Sequence, residues 1–132
     1  MKTYKLLFIV CISAITLYSC SKEKKTDAQL KEIAKSASAN CPVKLTDDTR
    51  LDTVIAEPGR NLVYKYTITL LDSAAFNKHE FETERKGFII TSIQTSEEMK
   101  FLRTMNVNFN YEFYDTAHKL ISKLRIEPKD YK

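Results

Sequence analysis

Apolar residues alternate with polar ones in two stretches of this chain, and this alternation limits the possible fold more than any other feature. Within Leu62–Leu70 the large apolar side chains occupy every second position, and the positions between them are mostly polar. Val107–Tyr114 repeats the pattern. A period of two is typical of β-strands, and a polar second face favours an antiparallel sheet that is covered on one side only.

Each alternating stretch has a predicted partner strand. Arg50–Glu57 lies across the turn residues 58–61, whose proline and glycine suit a hairpin. Lys119–Glu127 follows a predicted turn over Asp115–His118, and Pro128 ends it. The pattern therefore predicts two hairpins and a four-stranded antiparallel sheet. It leaves the order of the strands across the sheet open.

A helix is predicted ahead of the first hairpin. Thr26 and Gln29 have the spacing of a capping box, which predicts a helix over residues 27–38. The apolar stripe of this helix is thin, so it could pack loosely or serve as a stalk. Pro42 ends the helical region, because proline disfavours helical geometry in the residue before it.

One or two further helices are predicted between the hairpins. The charged run His79–Lys86 contains strong helix formers, and residues 87–93 fit either a helix or a short strand, with the helix favoured. The first of these helices would begin at Ala74, with Asp72 or Ser73 as its cap. A second helix would be capped by Thr95 with Glu98. One side of the first helix would face the sheet, with Phe81, Phe88, Ile89 and Ser92. The order of elements predicts an α+β domain with helices packed on one face of the sheet and an N-terminal helix before it.

The first twenty residues have the layout of an export signal. Lys2 and Lys5 are basic, and Leu6–Leu17 is an apolar run of twelve residues. Such a run is too short to cross a bilayer alone, which takes about 20 apolar residues. It ends in Leu17-Tyr18-Ser19-Cys20, where a small residue precedes a cysteine.

Leu17, Ser19 and Cys20 resemble the lipobox of bacterial lipoprotein signal peptides, whose cysteine is acylated before cleavage. The resemblance implies a signal peptide over residues 1–19 and a lipid on Cys20 that anchors the chain in the cell envelope, at the periplasmic or surface side of the outer membrane. Residues 20–40 would then form the lipidated cysteine, a charged tether and a short helix, and residues 41–132 a single α+β domain. Beyond Cys20 the chain is similar to small uncharacterised envelope lipoproteins, and residues 21–25 resemble the surface-export signals of some Bacteroidota lipoproteins, without their acidic pair.

Charge and cysteine content exclude several functions. Cleavage after residue 19 would leave 19 basic residues against 17 acidic ones, which is too balanced for a typical nucleic-acid-binding domain. If the signal peptide that contains Cys11 is removed and Cys20 carries lipid, Cys41 has no partner for an intramolecular disulfide. We expect its thiol to be buried; pairing with another chain and a reactive thiol are the alternatives.

No motif predicts catalysis, a cofactor or a metal site. The chain has two glycines, too few for a Walker loop, a dinucleotide-binding loop or a nucleophile elbow. His79-Glu80 begins like a zinc-protease motif, but Thr83 stands where the second histidine is needed. Cys41 with a histidine base is the conceivable nucleophile, and nothing in the sequence brings the two together. We therefore expect a protein that is not an enzyme.

Two surface features could bind a partner. One side of the last strand would carry every second residue, namely Lys119, Ile121, Lys123 and Arg125. Its three cations would form a basic row suited to acidic lipid or an acidic protein. The alternative is that these charges only protect an edge strand from pairing. Tyr114 would lie with Asn108 and Asn110 on the wet face of its strand, as a carbohydrate or peptide platform or as an inert surface.

These features favour a membrane-anchored, non-enzymatic binding or assembly module that contacts another envelope protein or cell-wall material. An alternative is an inhibitor or immunity lipoprotein that blocks an envelope toxin or hydrolase. An enzyme that uses Cys41 is a third hypothesis with less support.

Overall fold

The computed structural model describes residues 22–71 and 74–132, so the predicted signal peptide, Cys20 and the predicted caps Asp72 and Ser73 lie outside the described residues. The described strands are β1 (Val43–Lys44), β2 (Thr49–Glu57), β3 (Asn61–Ile68), β4 (Asn108–Tyr114) and β5 (Leu120–Ile126). The described helices are α1 (residues 22–38), α2 (Lys78–Thr95), α3 (Lys100–Thr104) and α4 (Pro128–Tyr131). Within these residues, no helix has both the length and the apolar character needed to cross a membrane.

The described strands form one sheet in the order β1-β2-β3-β4-β5, which confirms the α+β class and corrects the predicted sheet. The β2–β3 and β4–β5 hairpins are antiparallel as predicted, but β3 and β4 lie side by side in parallel. The sheet is therefore mixed, and β1 adds a fifth strand. The chain between β3 and β4 contains α2 and α3, a connection long enough to return it to the starting end of β3.

The register places the alternating apolar residues on one face of the sheet. Leu62 on β3, Phe109 on β4 and Ile126 on β5 are neighbours in one row and are fully buried. The next row contains Tyr64, Tyr111 and Leu124. The helices cover this face, which we call the inner face, and α2 supplies Ile89 and Ile93 to its core. The predicted apolar face is therefore confirmed for β3 and β4, except for Leu70, which follows β3 and is 71% exposed.

Helix α1 extends further towards the N-terminus than predicted, since residue 22 is already helical. Thr26 lies inside this helix, where its Oγ1 donates to the Lys22 carbonyl at 3.1 Å, so the predicted capping box is wrong. The charged residues that precede Thr26 are good helix formers and continue the helix. Leu30 and Ala34 of α1 are buried in the same core as the sheet residues.

The two ends of α1 are joined to β2 and its turn. Near the start, the Asp27 carboxylate accepts hydrogen bonds from the backbone N–H groups of Gly59 (3.1 Å) and Arg60 (2.8 Å). At the other end, Ser38 Oγ accepts from Val54 N (2.9 Å) and donates to Val54 O (2.7 Å). The Ser38 bonds satisfy backbone groups of β2 beyond the short β1, at what would otherwise be an open sheet edge, and the Asp27 bonds satisfy N–H groups of the following turn.

Helix α2 includes residues 87–93, so the predicted helix is confirmed there and the short strand is not formed. It begins at Lys78, later than predicted, because Asn77 caps it by accepting from Glu80 N at 3.2 Å. Thr95 is the last residue of α2 and does not cap α3, so the second predicted capping box is also wrong. The Arg103 guanidinium instead donates to carbonyls at the end of α2, which have no partner within the helix.

Candidate functional site

The predicted partner-binding residues Lys123 and Tyr114 meet at one carboxylate on the outer face of the sheet. Lys123 Nζ lies 2.9 Å from Glu112 Oε1, and Tyr114 OH donates to Glu112 Oε2 at 2.8 Å. Lys65 approaches the same carboxylate at 3.7 Å. Arg125, the next predicted residue along β5, pairs with Glu127 at 2.9 Å. The outer face therefore offsets much of its own charge.

Lys119 does not continue the predicted basic row. It precedes β5, and its N–H donates to Asp115 Oδ1 at 2.9 Å within the turn. An irregularity pairs Tyr114 with Leu120, so Ile121 is an extra residue, and it packs against the core. An extra residue disturbs the alternation of a strand, and the row expected from a period of two is broken at this point. Partner binding by these residues stays a prediction.

The electrostatics of Glu112 reflect these contacts. Partial burial acts to raise the pKa of its carboxyl, but the hydrogen bonds from Lys123 and Tyr114, with the charges of Lys123 and Lys65, lower it below its ordinary value. The hydrogen bond to Glu112 is the main cause of a raised pKa for Tyr114. The charged form of Glu112 is thus the one that the folded domain stabilises.

Beside Glu112 the outer face has a depression of about 490 Å³, lined by Pro42, Arg50, Asp52, Thr53, Lys65, Tyr114 and His118. Its central carboxylate, Asp52, is already in use: it accepts from Arg50 Nε and from Thr67 Oγ1, both at 2.6 Å. Asp48 lies four positions before Asp52 in the sequence, and it accepts hydrogen bonds from Thr46 and Thr49 that lower the pKa of its carboxyl. These carboxylates are therefore used in local polar contacts.

A second concave surface lies on the inner face, and the sequence did not predict it. It has a volume of about 280 Å³ between α2 and the segment that joins β1 to β2, with strand residues as its floor. We call it the aromatic groove, and its lining residues are Leu45, Thr46, Thr49, Tyr66, Arg85, Phe88, Ile89, Tyr111 and Phe113. Sequentially distant segments build it, so local periodicity could not reveal it.

Stacked rings form the floor of the aromatic groove. Tyr66 stacks with Tyr111 at 6.1 Å and with Phe113 at 5.4 Å between ring centroids, and Tyr64 extends the stack from Tyr111 at 5.2 Å. Phe81 of α2 meets Phe113 edge to face at 5.1 Å. Such contacts favour fixed ring positions. The floor is thus an ordered apolar surface.

The rim of the groove exposes large apolar side chains to solvent. Phe88 is 70% exposed and Leu45 is 53% exposed. The expectation that Phe88 packs on the sheet is therefore wrong, although Phe81 and Ile89 from the same predicted sector do face it. Phe88 stands at the edge of the helix surface that reaches the sheet, and the groove separates it from Leu45. Exposed aromatic residues beside a groove are typical of binding surfaces.

Thr46 and Thr49 at the groove donate hydrogen bonds to Asp48, but the phenol hydroxyls and the guanidinium of the groove have few partners in the described chain. Within residues 22–71 and 74–132, no residue hydrogen-bonds to the hydroxyl of Tyr66 or Tyr111, and neither oxygen is fully buried. Burial raises the pKa of both phenols, so both are neutral donors at physiological pH. The Arg85 guanidinium lies 5.3 Å from the Phe81 ring and forms no ion pair in the described chain. Tyrosines at core positions were the sequence signal for this site, because a phenol oxygen needs a partner or water.

The groups considered for nucleophilic chemistry do not come together. Cys41 is half-buried, and its thiol donates to the Ala37 carbonyl at 3.5 Å. Neither His79 nor His118 hydrogen-bonds to it in the part of the chain that the structure describes. The same residues contain no group of three His, Cys, Asp or Glu side chains placed to hold a metal ion.

The fold is similar to those of three solved bacterial proteins. A protein of Pseudomonas aeruginosa that is thought to be secreted gives a TM-score of 0.69 at 13% identity, over 84% of this chain and 96% of that one. EpsS, the pilotin of a Vibrio vulnificus type 2 secretion system, gives a TM-score of 0.68 at 10% identity, over 85% of this chain and 96% of that one. AspS, a type II secretion system pilotin of Vibrio cholerae, gives a TM-score of 0.64 at 8% identity, over 85% of this chain and 97% of that one. At these identities the likeness establishes the fold alone.

Sequence comparison assigns the chain at the level of a family. No curated protein matches it. Residues 24–122, from α1 into β5, match the family described as "Domain of unknown function (DUF8479)". Because the match covers more than half of the sequence, the chain belongs to the DUF8479 family.

Proposed function

We propose that this chain is a non-enzymatic, lipid-anchored module of the bacterial cell envelope, which binds an apolar segment of another protein in the aromatic groove and assists its assembly. The observation that carries the proposal is the groove itself, with a stacked aromatic floor and a rim that exposes Phe88 and Leu45. The likeness of the fold to two pilotins supports an assembly role.

The groove suits a protein segment because its chemistry combines apolar area with a few directional groups. Burying a large apolar side chain such as Phe88 contributes about 1.5–3 kcal/mol. The hydroxyls of Tyr66 and Tyr111 offer hydrogen bonds, and Arg85 offers a charge for a carboxylate of the partner. A mostly apolar pocket with a small number of polar groups is the usual form of a specific site.

The proposed anchor is the lipid on Cys20. Several acyl chains on one residue contribute about 0.8 kcal/mol per buried methylene and hold a protein durably on a membrane. We predict that Cys20→Ala releases the full-length chain from the membrane fraction of its native bacterium, as immunoblots of sedimented membranes would show. Cys41→Ala is the matched control and should sediment as the native chain does. Complete sedimentation of the Cys20→Ala chain would contradict the anchor.

The groove is tested in cells with a photo-crosslinking amino acid placed at position 45 or 88 of the full-length chain. We expect both positions to crosslink to the same envelope protein, identified by mass spectrometry, and position 123 on the outer face to give no such product. Phe88→Glu should abolish copurification of that protein. Phe101→Glu is the matched control, because Phe101 is an exposed phenylalanine of α3 outside the groove lining.

The same experiment separates the competing functions. Crosslinks at position 123 that are absent at positions 45 and 88 would move the binding site to the outer face and overturn the groove. A groove-bound toxin or hydrolase would replace assembly with inhibition or immunity. Equal loss of the partner in the two glutamate variants would contradict specific binding in the groove.

A further inference from the structure

A second set of side chains without partners in the described chain lies where α1 begins, two positions after Cys20 in the sequence. A cavity of about 290 Å³ is lined there by Lys22, Glu23, Thr26, Arg60, Thr104, Met105 and Asn106. We call this end the anchor pole. Lys22 follows Cys20 by two positions, so at most about 7 Å of extended chain separates a lipidated cysteine from it.

Arg60 is held firmly at the anchor pole. Its N–H donates to Asp27 Oδ1 at 2.8 Å, and its carbonyl accepts from Asn108 N at 2.8 Å. Its φ of 59° lies in the left-handed region, which asparagine or glycine adopts more readily than arginine. The turn therefore keeps an arginine where its backbone alone would favour another residue.

The cations of this cavity have no partners within the described chain. Neither the Arg60 guanidinium nor the Lys22 ammonium forms a hydrogen bond or ion pair with residues 22–71 or 74–132. Glu23 contributes one negative charge to the lining, and the exposed Lys24 and Lys25 follow it on α1. The balance at the start of α1 is positive. An arginine whose backbone is held in place, with a lysine that lines the same polar cavity, suits a phosphate group.

The aromatic groove opens on the other half of the sheet. Strand β3 leaves the anchor pole at Asn61, and Tyr66 of the groove floor lies five residues further along it. This distance is roughly 17 Å at the rise of a β-strand. Thr49, which also lines the groove, pairs with Ile68 near the far end of β3. The proposed anchor and the groove are therefore separated along the strands.

We infer that the anchor pole binds the phosphates of anionic phospholipids through Arg60 and Lys22, so that the domain stands on the bilayer with its aromatic groove directed away from it. The inference rests on the lipid anchor of the proposed function. It differs from the basic row predicted on β5, whose Lys123 and Arg125 are paired with carboxylates. Contact with the bilayer would hold the groove within reach of envelope proteins.

The test uses the full-length lipidated protein in nanodiscs of phosphatidylcholine, with or without phosphatidylglycerol. The chain contains no tryptophan, so Thr104→Trp places a single reporter at the anchor pole, and Lys119→Trp places a matched one in the distant β4–β5 turn. Lipids that carry a spin label on the headgroup quench tryptophans near the membrane surface. We expect quenching of the reporter at position 104 to increase when phosphatidylglycerol is present, and quenching of the reporter at position 119 to stay low.

Removing the two cations should abolish the lipid dependence. With Lys22→Gln and Arg60→Gln added, quenching at position 104 should fall to the level seen in phosphatidylcholine. The control pair Lys35→Gln and Lys86→Gln removes two exposed lysines elsewhere and should leave quenching at position 104 unchanged. Amide hydrogen exchange gives a second readout in the chain without tryptophan. We expect phosphatidylglycerol to slow exchange at residues 104–106.

Each failure has its own signature. Quenching at position 104 that is the same in both lipids, or that persists without Lys22 and Arg60, would overturn the lipid-binding pole while leaving the anchor intact. Equal quenching of the two reporters would overturn the orientation. Failure of the native chain to remain with the nanodiscs during gel filtration would instead contradict the anchor in the proposed function.

Discussion

The two faces of this sheet differ in how completely their side chains find partners within the domain. On the outer face, Glu112 is bound by Lys123 and Tyr114, and the charges are largely offset. On the inner face, the aromatic groove leaves Phe88 exposed and the Tyr66 hydroxyl without a partner in the described chain. The outer face carries more charged side chains, but most of them are already paired within the domain. The contacts that the domain leaves open mark the better candidate for binding.

The largest expected effect is in the core beneath the groove. Phe109 is fully buried at the centre of the inner face, so Phe109→Ala should destabilise the domain by about 3–5 kcal/mol, because it leaves a cavity. Chemical denaturation followed by circular dichroism measures this change. An unchanged midpoint would show that the inner face is not the stabilising one, and the comparison of the faces would fail.

A smaller effect is expected at the centre of the outer face. Glu112→Gln removes the charge that Lys65, Lys123 and Tyr114 share, and we expect a loss of about 1 kcal/mol at neutral pH. Lys100→Gln is a matched control, because its ion pair with Glu97 is strongly exposed. A Glu112→Gln domain as stable as the control would show that the outer contacts contribute little.

The same variant predicts a pH dependence. The folded-state pKa of Glu112 lies below the ordinary value of 4.5, so its contribution is fully present above pH 4.5 and is lost as the pH falls through the folded pKa. The stability difference between the native chain and Glu112→Gln should therefore be constant from neutral pH down to about 4.5 and shrink at lower pH. A difference that grows on acidification would contradict the lowered pKa.

A modest gain in the free energy of unfolding is expected from a substitution on the solvent side of α2, the helix that forms one wall of the groove. A methyl group added at Gly87 would meet nothing within 4 Å, and glycine weakens a helix interior. Gly87→Ala should therefore stabilise the domain by about 0.5–1 kcal/mol, measured by denaturation. A loss of stability would show that this side of α2 is not open to solvent.

The smallest effect on stability is expected at the groove rim. Phe88→Ala removes a ring that is mostly exposed, so the free energy of unfolding should change by less than about 0.5 kcal/mol. Thermal unfolding of the isolated chain measures it. A loss as large as that of Phe109→Ala would mean that Phe88 is a core residue, and the groove would cease to be the open face of the comparison.

The sequence predicted much of the local structure because local periodicity carries it. The alternation in Val107–Tyr114 marked a strand and its buried face, and the helix formers around residue 80 marked α2. Capping boxes were less informative, since Thr26 and Thr95 lie inside helices whose neighbours favour continuation. A cap residue acts only where the helix actually ends.

Pairing and the groove lay beyond sequence reasoning. A period of two identifies the faces of a strand but not its neighbour, so β4 was not expected beside β3 in parallel. The two-residue β1 is too short for any period. The groove needs Leu45, Phe88 and Tyr111 to meet, and these residues are far apart in the chain.

The sequence by itself predicted the α+β class and the buried faces of β3 and β4, and it led to the hypothesis of an export signal and a lipid on Cys20, which stays a prediction. Tertiary structure decided which strands pair, which charges on the outer face are offset and which apolar residues remain uncovered. The reason is that periodicity and composition act over a few neighbouring residues. Satisfaction of a charge or burial of a ring depends instead on groups that only folding brings together.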